Sequence, residues 1–169
     1  MTLPPEATGG YQAVAFFESM LGTGPGQAQG SQVMFAGRLG TLIFVEAQGA
    51  VHRHGAVTKV SATPPTASRP LEVEFLFGND GDTHLFADGA LSILNSKGEY
   101  VGREKIERFG ALPGTARRRR TPWAGELPVG TYSVIVTLDY GGADPAVSET
   151  TLVVPVKELE VPKRTQKRG

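Results

Sequence analysis

The chain contains no cysteine among its 169 residues. This excludes a disulfide framework and a thiolate metal site, although it leaves the cellular compartment open because many envelope β-sandwiches lack disulfides. No apolar run approaches the roughly 18 residues of a membrane-spanning helix. Residues 1–10 have neither a basic segment nor an apolar one, so no export signal is predicted from them. We therefore expect a water-soluble chain without a membrane span.

An excess of charge of either sign is also absent. Lysine and arginine together number 17, as do aspartate and glutamate, so the formal net charge is zero. A neutral chain has no global field that would favour nucleic acid or an anionic membrane. We therefore predict no nucleic-acid partner and expect any partner to be chosen by local features.

Motifs that carry catalysis are missing as well. The sequence has no nucleophile elbow, no glycine-rich phosphate loop that opens a helix, no zinc-protease motif and no cysteine nucleophile. A catalytic site is recognised by convergent chemistry rather than by composition. We predict a protein that is not an enzyme, with no catalytic residue and no cofactor.

What the sequence does contain is short runs of alternating apolar and polar residues. The 22 glycines and 12 prolines fall between these runs, as is typical of a turn-rich β-protein. No stretch keeps a helical apolar stripe over several turns. The prediction is an all-β fold, with an immunoglobulin-like β-sandwich preceded by a shorter, incomplete β-sandwich-like segment.

The sandwich is predicted over residues 71–156. Leu71, Val73, Phe75 and Phe77 alternate with more polar residues, and a second strand over residues 131–140 alternates in the same way. About six or seven strands fit in this segment, close to an immunoglobulin-like domain of roughly 100 residues.

The remaining boundaries follow from composition. Residues 1–63 are predicted to hold about four strands, at 11–20, 32–37, 41–47 and 56–61, which are too few to close a sandwich. The predicted linker is the proline-rich segment 64–70, and the predicted flexible tail is the basic segment 157–169.

Strand 11–20 is apolar on both of its sides, with Phe16 on one side and Phe17 on the other. A strand of this kind is buried on both faces or covered by a partner. The small number of strands around it would also leave a sheet edge unpaired. We therefore predict Phe16 and Phe17 as partner-binding residues, with the partner being a protein that adds a strand or a second copy of the chain.

Two further runs, LPGT at 112–115 and LPVGTYSV at 127–134, flank the Pro122-Trp123 pair, and GTLIFV lies at 40–45. Together these runs resemble immunoglobulin-like domains of bacterial envelope proteins related to periplasmic pilus-assembly chaperones. The resemblance implies a chaperone-like or assembly function in the periplasm or at the cell surface. In that family the first domain is a complete sandwich, whereas its early strands have no counterpart here. Arg38 and Lys59 do not align with the family's basic client-binding pair, so no site is carried over.

A run of four arginines at 117–120 could attract phosphate or acidic polysaccharide. On a strand only alternate residues share a face, so Arg117 and Arg119 are predicted as a second partner-binding pair. The alternative is a solvated edge strand whose charges block unwanted pairing.

Aromatic residues carry a second class of function. Tyr132 follows a glycine at a strand start, where sandwiches use a tyrosine hydroxyl to fix a corner. Trp123 is predicted to close the edge of the core. The alternative is a carbohydrate-binding or spacer module in which Trp123, Tyr100 and the arginine run form an exposed platform.

His52 and His54 are two residues apart and are weak candidates for a metal site, with His84 as a third ligand. On this weaker alternative the protein would be a metal-dependent enzyme. The alternative is that both histidines are solvated at the end of a strand.

The segment 79–82 lacks the ligand spacing of a calcium loop and is predicted to be a turn.

Overall fold

The computed structural model describes residues 3–24, 33–49 and 51–156. These residues form nine β-strands and no helix, which confirms the predicted all-β fold. In chain order the strands are β1 Gly10–Gly24, β2 Val33–Glu46, β3 Gly55–Thr63, β4 Leu71–Asn79, β5 Leu85–Asn95, β6 Tyr100–Ala111, β7 Thr115–Trp123, β8 Gly130–Asp139 and β9 Ala146–Val154.

Seven of the strands form two antiparallel sheets around one core. The first sheet has the order β3-β4-β7 and the second has the order β6-β5-β8-β9. Inward side chains of both sheets belong to a single apolar cluster, as expected for sheets that pack face to face. The two remaining strands, β1 and β2, pair with each other in a separate two-stranded sheet.

Strict alternation explains where the core lies. In β4 the side chains of Leu71, Val73, Phe75 and Phe77 are all fully buried, which confirms the face predicted for this strand. In β8 the same holds for Val134, Val136 and Leu138. Full burial of such a side chain contributes about 1.5–3 kcal/mol to folding, so these two central strands supply much of the driving force.

The predicted aromatic roles at the edge of the core are confirmed. The Tyr132 hydroxyl donates a 2.8 Å hydrogen bond to the carbonyl oxygen of Pro128, and its side chain is buried. Trp123 is 9% exposed, and a β-carbon at either Gly102 or Gly125 would overlap its indole ring. The indole therefore fills the edge of the core and needs glycine on both sides.

The division between the sandwich and the preceding segment differs from the predicted one. Strand β3 pairs with β4, from Gly55 opposite Asn79 to Thr63 opposite Glu72. The segment 64–70 is thus the connection between neighbouring strands of one sheet, and it is closed by a hydrogen bond from the Thr66 amide to the Arg69 carbonyl oxygen. Its prolines suit a tight connection as well as a linker, because both need a backbone without ladder hydrogen bonds.

The first segment also has fewer strands than predicted. The predicted strands at 32–37 and 41–47 form one strand, β2, because pairing with β1 continues through Arg38, Leu39 and Gly40. With β3 in the sandwich, only β1 and β2 remain outside it. The predicted tail at 157–169 lies outside the described residues.

The corner hydrogen bond gives a first prediction. Replacing Tyr132 with phenylalanine removes the hydroxyl but keeps the ring, so we expect the free energy of unfolding to fall by about 0.5–1.5 kcal/mol. Urea unfolding followed by Trp123 fluorescence would measure it. The matched control is Tyr100→Phe, since the Tyr100 side chain is 65% exposed. Equal stability of Tyr132→Phe and the unmodified chain would contradict the role of the hydroxyl.

Candidate interaction surface

The paired strands β1 and β2 form what we call the ribbon. Their register runs from Gly10 opposite Glu46 to Gly24 opposite Val33. At about 3.4 Å per residue, 15 residues make the ribbon about 50 Å long. Within the described residues neither strand pairs with any other, so both outer edges carry unpaired backbone groups.

Large apolar side chains are exposed on both faces of the ribbon. Residues directly opposite each other share a face, which places Val14, Phe16, Met20 and Leu42 on one face. The opposite face carries Tyr11, Phe17, Phe35, Leu39 and Ile43. These nine side chains are 37–74% exposed. Phe16 and Phe17 are therefore on opposite faces, as predicted for this strand.

Charge is nearly absent from the ribbon. Between Tyr11 and Val45 the only charged side chains in the described strands are Glu18 and Arg38. They form an ion pair with 3.2 Å between Arg38 Nε and Glu18 Oε1, and the Arg38 guanidinium lies 4.0 Å from the centre of the Phe16 ring. Exposed edges are usually protected by unpaired charges, prolines or a covering segment. The described part of the ribbon has no proline and no unpaired charge.

One backbone hydrogen bond attaches the root of the ribbon to the sandwich, and a second joins the two strands at the root. The Gly10 amide donates to the Asp82 carbonyl oxygen at 2.9 Å, and the Ala47 amide donates to the Gly9 carbonyl oxygen at 3.0 Å. A β-carbon at Gly10 would overlap Thr83. The backbones approach closely at this point because glycine has no side chain.

A carboxylate at the end of β2 strengthens the same junction. Glu46 accepts hydrogen bonds from Arg53 Nη2, at 2.6 Å to both carboxylate oxygens, and from Thr83 Oγ1 at 3.0 Å. Bonds between ionised groups are roughly twice as strong as neutral ones. Glu46 therefore joins β2, the loop before β3 and the loop before β5.

Beside the root lies an open cleft of about 600 Å³. Three aromatic rings line part of it. The ring centre of His84 is 4.6 Å from that of Phe44 and 5.5 Å from that of Phe86. The Arg108 guanidinium covers Phe86 at 4.9 Å. These rings pack the ribbon against the four-stranded sheet. The cleft therefore lies at the contact between the ribbon and the sandwich.

The arginine run lies on β7, an edge strand of the three-stranded sheet, which confirms its predicted edge position. Arg120 Nε is 2.7 Å from Glu74 Oε2, and Arg118 Nη1 is 3.0 Å from Glu74 Oε1. The hydrogen bond from Arg120, helped by the charges of Arg118 and Arg120, lowers the pKa of the Glu74 carboxyl below its ordinary value. Two of the four arginines are thus engaged by a neighbouring strand.

The two arginines predicted to bind a partner point to the other side of β7. Arg119 lies opposite Phe75 and Arg117 opposite Phe77. Arg119 is partly buried, and its guanidinium lies 5.0 Å from the centre of the Phe109 ring. The structure therefore does not bring Arg117 and Arg119 together with Phe16 and Phe17, because the first pair belongs to the sandwich and the second to the ribbon.

The three histidines do not converge. The rings of His52 and His54 stack at 6.0 Å, whereas His84 packs against Phe44 at the ribbon root. Among the described residues no group of three histidine, cysteine, aspartate or glutamate side chains has an arrangement suited to a metal ion. The three-histidine site considered from the sequence is not formed.

Several residues of the surface were not predicted from the sequence. Glu46 and Thr83 form a hydrogen bond at the root of the ribbon. Leu39 and Leu42 are among the most exposed apolar side chains of the ribbon. The consecutive glycines at positions 9 and 10 are the one local signal of a close backbone approach.

No protein-family model matches the chain, and no curated protein matches it. Nor do the described residues include a helix with the length and apolarity that crossing a membrane requires.

The ion pairs of β7 give a second prediction. Because the pKa of Glu74 is lowered on folding, the pair contributes stability above the unfolded carboxyl pKa of about 4.3, and this contribution is lost as the pH falls through the lower folded value. Arg120→Gln should raise the pKa of Glu74 towards its ordinary value, measured by NMR titration of the side-chain carboxyl carbon. Arg117→Gln is the control and should leave it unchanged. Identical titrations with and without Arg120 would contradict the assignment.

The root gives a third prediction. Gly10→Ala places a β-carbon against Thr83, and overpacking of this kind costs about 1–3 kcal/mol. We expect the amides of residues 10 and 47 to exchange with solvent about tenfold faster or more, while the amides of β4 and β8 keep their rates. Hydrogen exchange detected by NMR would measure this. Gly78→Ala is the matched control, since a β-carbon there meets open space. Unchanged exchange in Gly10→Ala would show that the root does not hold the ribbon.

Proposed function

We propose that the protein is a non-catalytic interaction module that binds a protein partner by strand pairing along the ribbon. The observation that carries the proposal is a ribbon with exposed apolar side chains on both faces, unpaired edges on both sides and only one internal ion pair. Strand addition uses these features, since main-chain hydrogen bonds supply affinity and alternate side chains supply specificity.

The exposed apolar area supports association energetically. Covering the exposed half of one large apolar side chain contributes roughly 1 kcal/mol. Association costs about 4–15 kcal/mol in lost freedom of motion. A strand added at one edge covers only the exposed apolar side chains beside that edge, so new backbone hydrogen bonds supply the rest of the compensation.

The setting proposed for this activity is the bacterial cell envelope. The support is the resemblance of residues 112–115 and 127–134 to envelope proteins related to pilus-assembly chaperones, and an immunoglobulin-like affinity of the sandwich. A seven-stranded arrangement in sheets of three and four, with a tyrosine hydroxyl bonded to the chain four residues upstream, is compatible with that affinity.

The carbohydrate-binding alternative loses its main residue. An aromatic platform must be exposed, whereas Trp123 is buried and only Tyr100 of the predicted pair is exposed. No described feature favours the metal-dependent enzyme either.

The test is an affinity capture from cell-envelope extract with the tagged chain, using mass spectrometry to quantify what is retained, including untagged copies added to the extract. We expect one dominant protein in near-equal amount. Leu39→Ser with Leu42→Ser should lose it, because these two side chains are 74% and 65% exposed and lie on opposite faces of β2.

The matched control is Tyr100→Ser, which removes an equally exposed aromatic side chain from the sandwich. It should keep the partner, and all three proteins should have the same sandwich stability. Equal retention by the ribbon variant and the unmodified chain, or no specific retention by either, would contradict the proposed function.

A further inference from the structure

Strand β2 is self-complementary in charge about its own centre. Arg38 and Glu46 each lie four residues from Leu42, so they are on the same face as Leu42 and at equal distances on either side of it. If two copies of β2 run antiparallel with Leu42 at the midpoint, residue 38 of each lies opposite residue 46 of the other.

From this arrangement we infer that the partner of the ribbon is a second copy of the chain. This inference rests on the proposed function. The two copies pair antiparallel through the outer edges of β2, around a two-fold axis at Leu42. Each dimer then has two Arg38–Glu46 pairs, and an interface of this symmetry uses the same surface on both subunits.

The same register also matches side-chain volumes. On the face of Leu42, Phe44 lies opposite Gly40, so its ring faces a residue without a side chain and can keep its packing against His84 and Phe86. On the other face Leu39 lies opposite Val45 and Thr41 opposite Ile43. No like charges oppose each other in this register.

The charged groups have capacity for these additional contacts. Arg38 already pairs with Glu18, and Glu46 already accepts from Arg53 and Thr83. A guanidinium has five donor hydrogens and a carboxylate has about four acceptor positions. Each cross-copy pair would therefore extend a chain of charges from Glu18 through Arg38 and Glu46 to Arg53, without displacing an existing partner.

The edge of β1 is less suited to the same role. Its only charged side chain is Glu18, so two copies of β1 cannot form opposite-charge pairs. Its register also shifts between Met20 and Gly22, where an extra residue interrupts a regular ladder.

Pairing through β2 would relieve a weakness of the ribbon itself. A two-stranded sheet is marginally stable in water, and three or more strands are needed for independent stability. Two ribbons joined through β2 make one sheet of four strands in the order β1-β2-β2-β1. The second copy thus supplies both the missing strands and a neutral, apolar neighbour.

Cysteine scanning tests the inference directly, because the chain has no cysteine of its own. In Leu42→Cys the two thiols lie opposite each other across the axis, with Cα atoms about 4.5–5.5 Å apart, within the range of a disulfide. Under mild oxidation we expect rapid formation of a covalent dimer. Leu39→Cys is the control: the side chain is 74% exposed, yet its counterpart would lie about 20 Å away.

Analytical ultracentrifugation supplies the second measurement. The unmodified chain should sediment as a dimer, and Arg38→Gln should weaken the dimer roughly fivefold through loss of two exposed charge pairs. Arg117→Gln, on the sandwich, should have no effect.

A monomeric chain, or equal cross-linking of Leu42→Cys and Leu39→Cys, would overturn the inference. If a monomeric chain still captured a different protein, and Leu39→Ser with Leu42→Ser abolished that capture, the proposed function would stand and only the second copy would be excluded.

Discussion

A β-strand presents alternate side chains to opposite faces, and the structure depends on what covers each face. In the sandwich one face of each sheet is covered by the other sheet, so β4 and β8 bury every second side chain and leave the intervening ones at least partly exposed. The ribbon obeys the same geometry without the same cover. Apolar residues occupy both of its faces, and the described residues supply no second layer for most of its length. The outer edges are unpaired as well, and the proposed interaction pairs an open edge and covers the part of each face beside it.

The root makes the ribbon usable as an interaction surface. The backbone hydrogen bond from Gly10 to Asp82 and the Glu46 cluster fix where the ribbon leaves the sandwich. Pairing with a strand that is already held at one end costs less conformational entropy than pairing with a free segment, which must first be ordered. The sandwich therefore acts as a rigid base, while the chemistry of recognition lies in β1 and β2.

The sequence predicted the features that depend on residues close together in the chain. The buried face of β4, the Tyr132 corner and the two apolar sides of β1 follow from side-chain alternation and turn residues. The membership of β3 in the sandwich did not follow, because it depends on pairing across residues 64–70, whose prolines suit a linker and a tight connection equally. The roles of Glu46 and Thr83 depend on residues 37 positions apart, and the separation of Arg117 and Arg119 from Phe16 and Phe17 depends on which sheet each strand joins. Contacts of this kind join residues that are far apart in the sequence, so they can be identified only from the folded structure.

The central claim concerns the ribbon: its outer edges are open in the isolated chain, and the outer edge of β2 becomes paired on association. Hydrogen exchange of residues 11–24 and 33–46, resolved by residue and compared at low and high concentrations of the protein, tests it most directly. We expect fast exchange of the alternate, outward-pointing amides in dilute solution and slower exchange of the outward-pointing β2 amides as the concentration rises, with β4 and β8 protected throughout. Amides of the ribbon that are as protected as those of β4 at the lowest concentration would contradict it, because the edges would then already be covered.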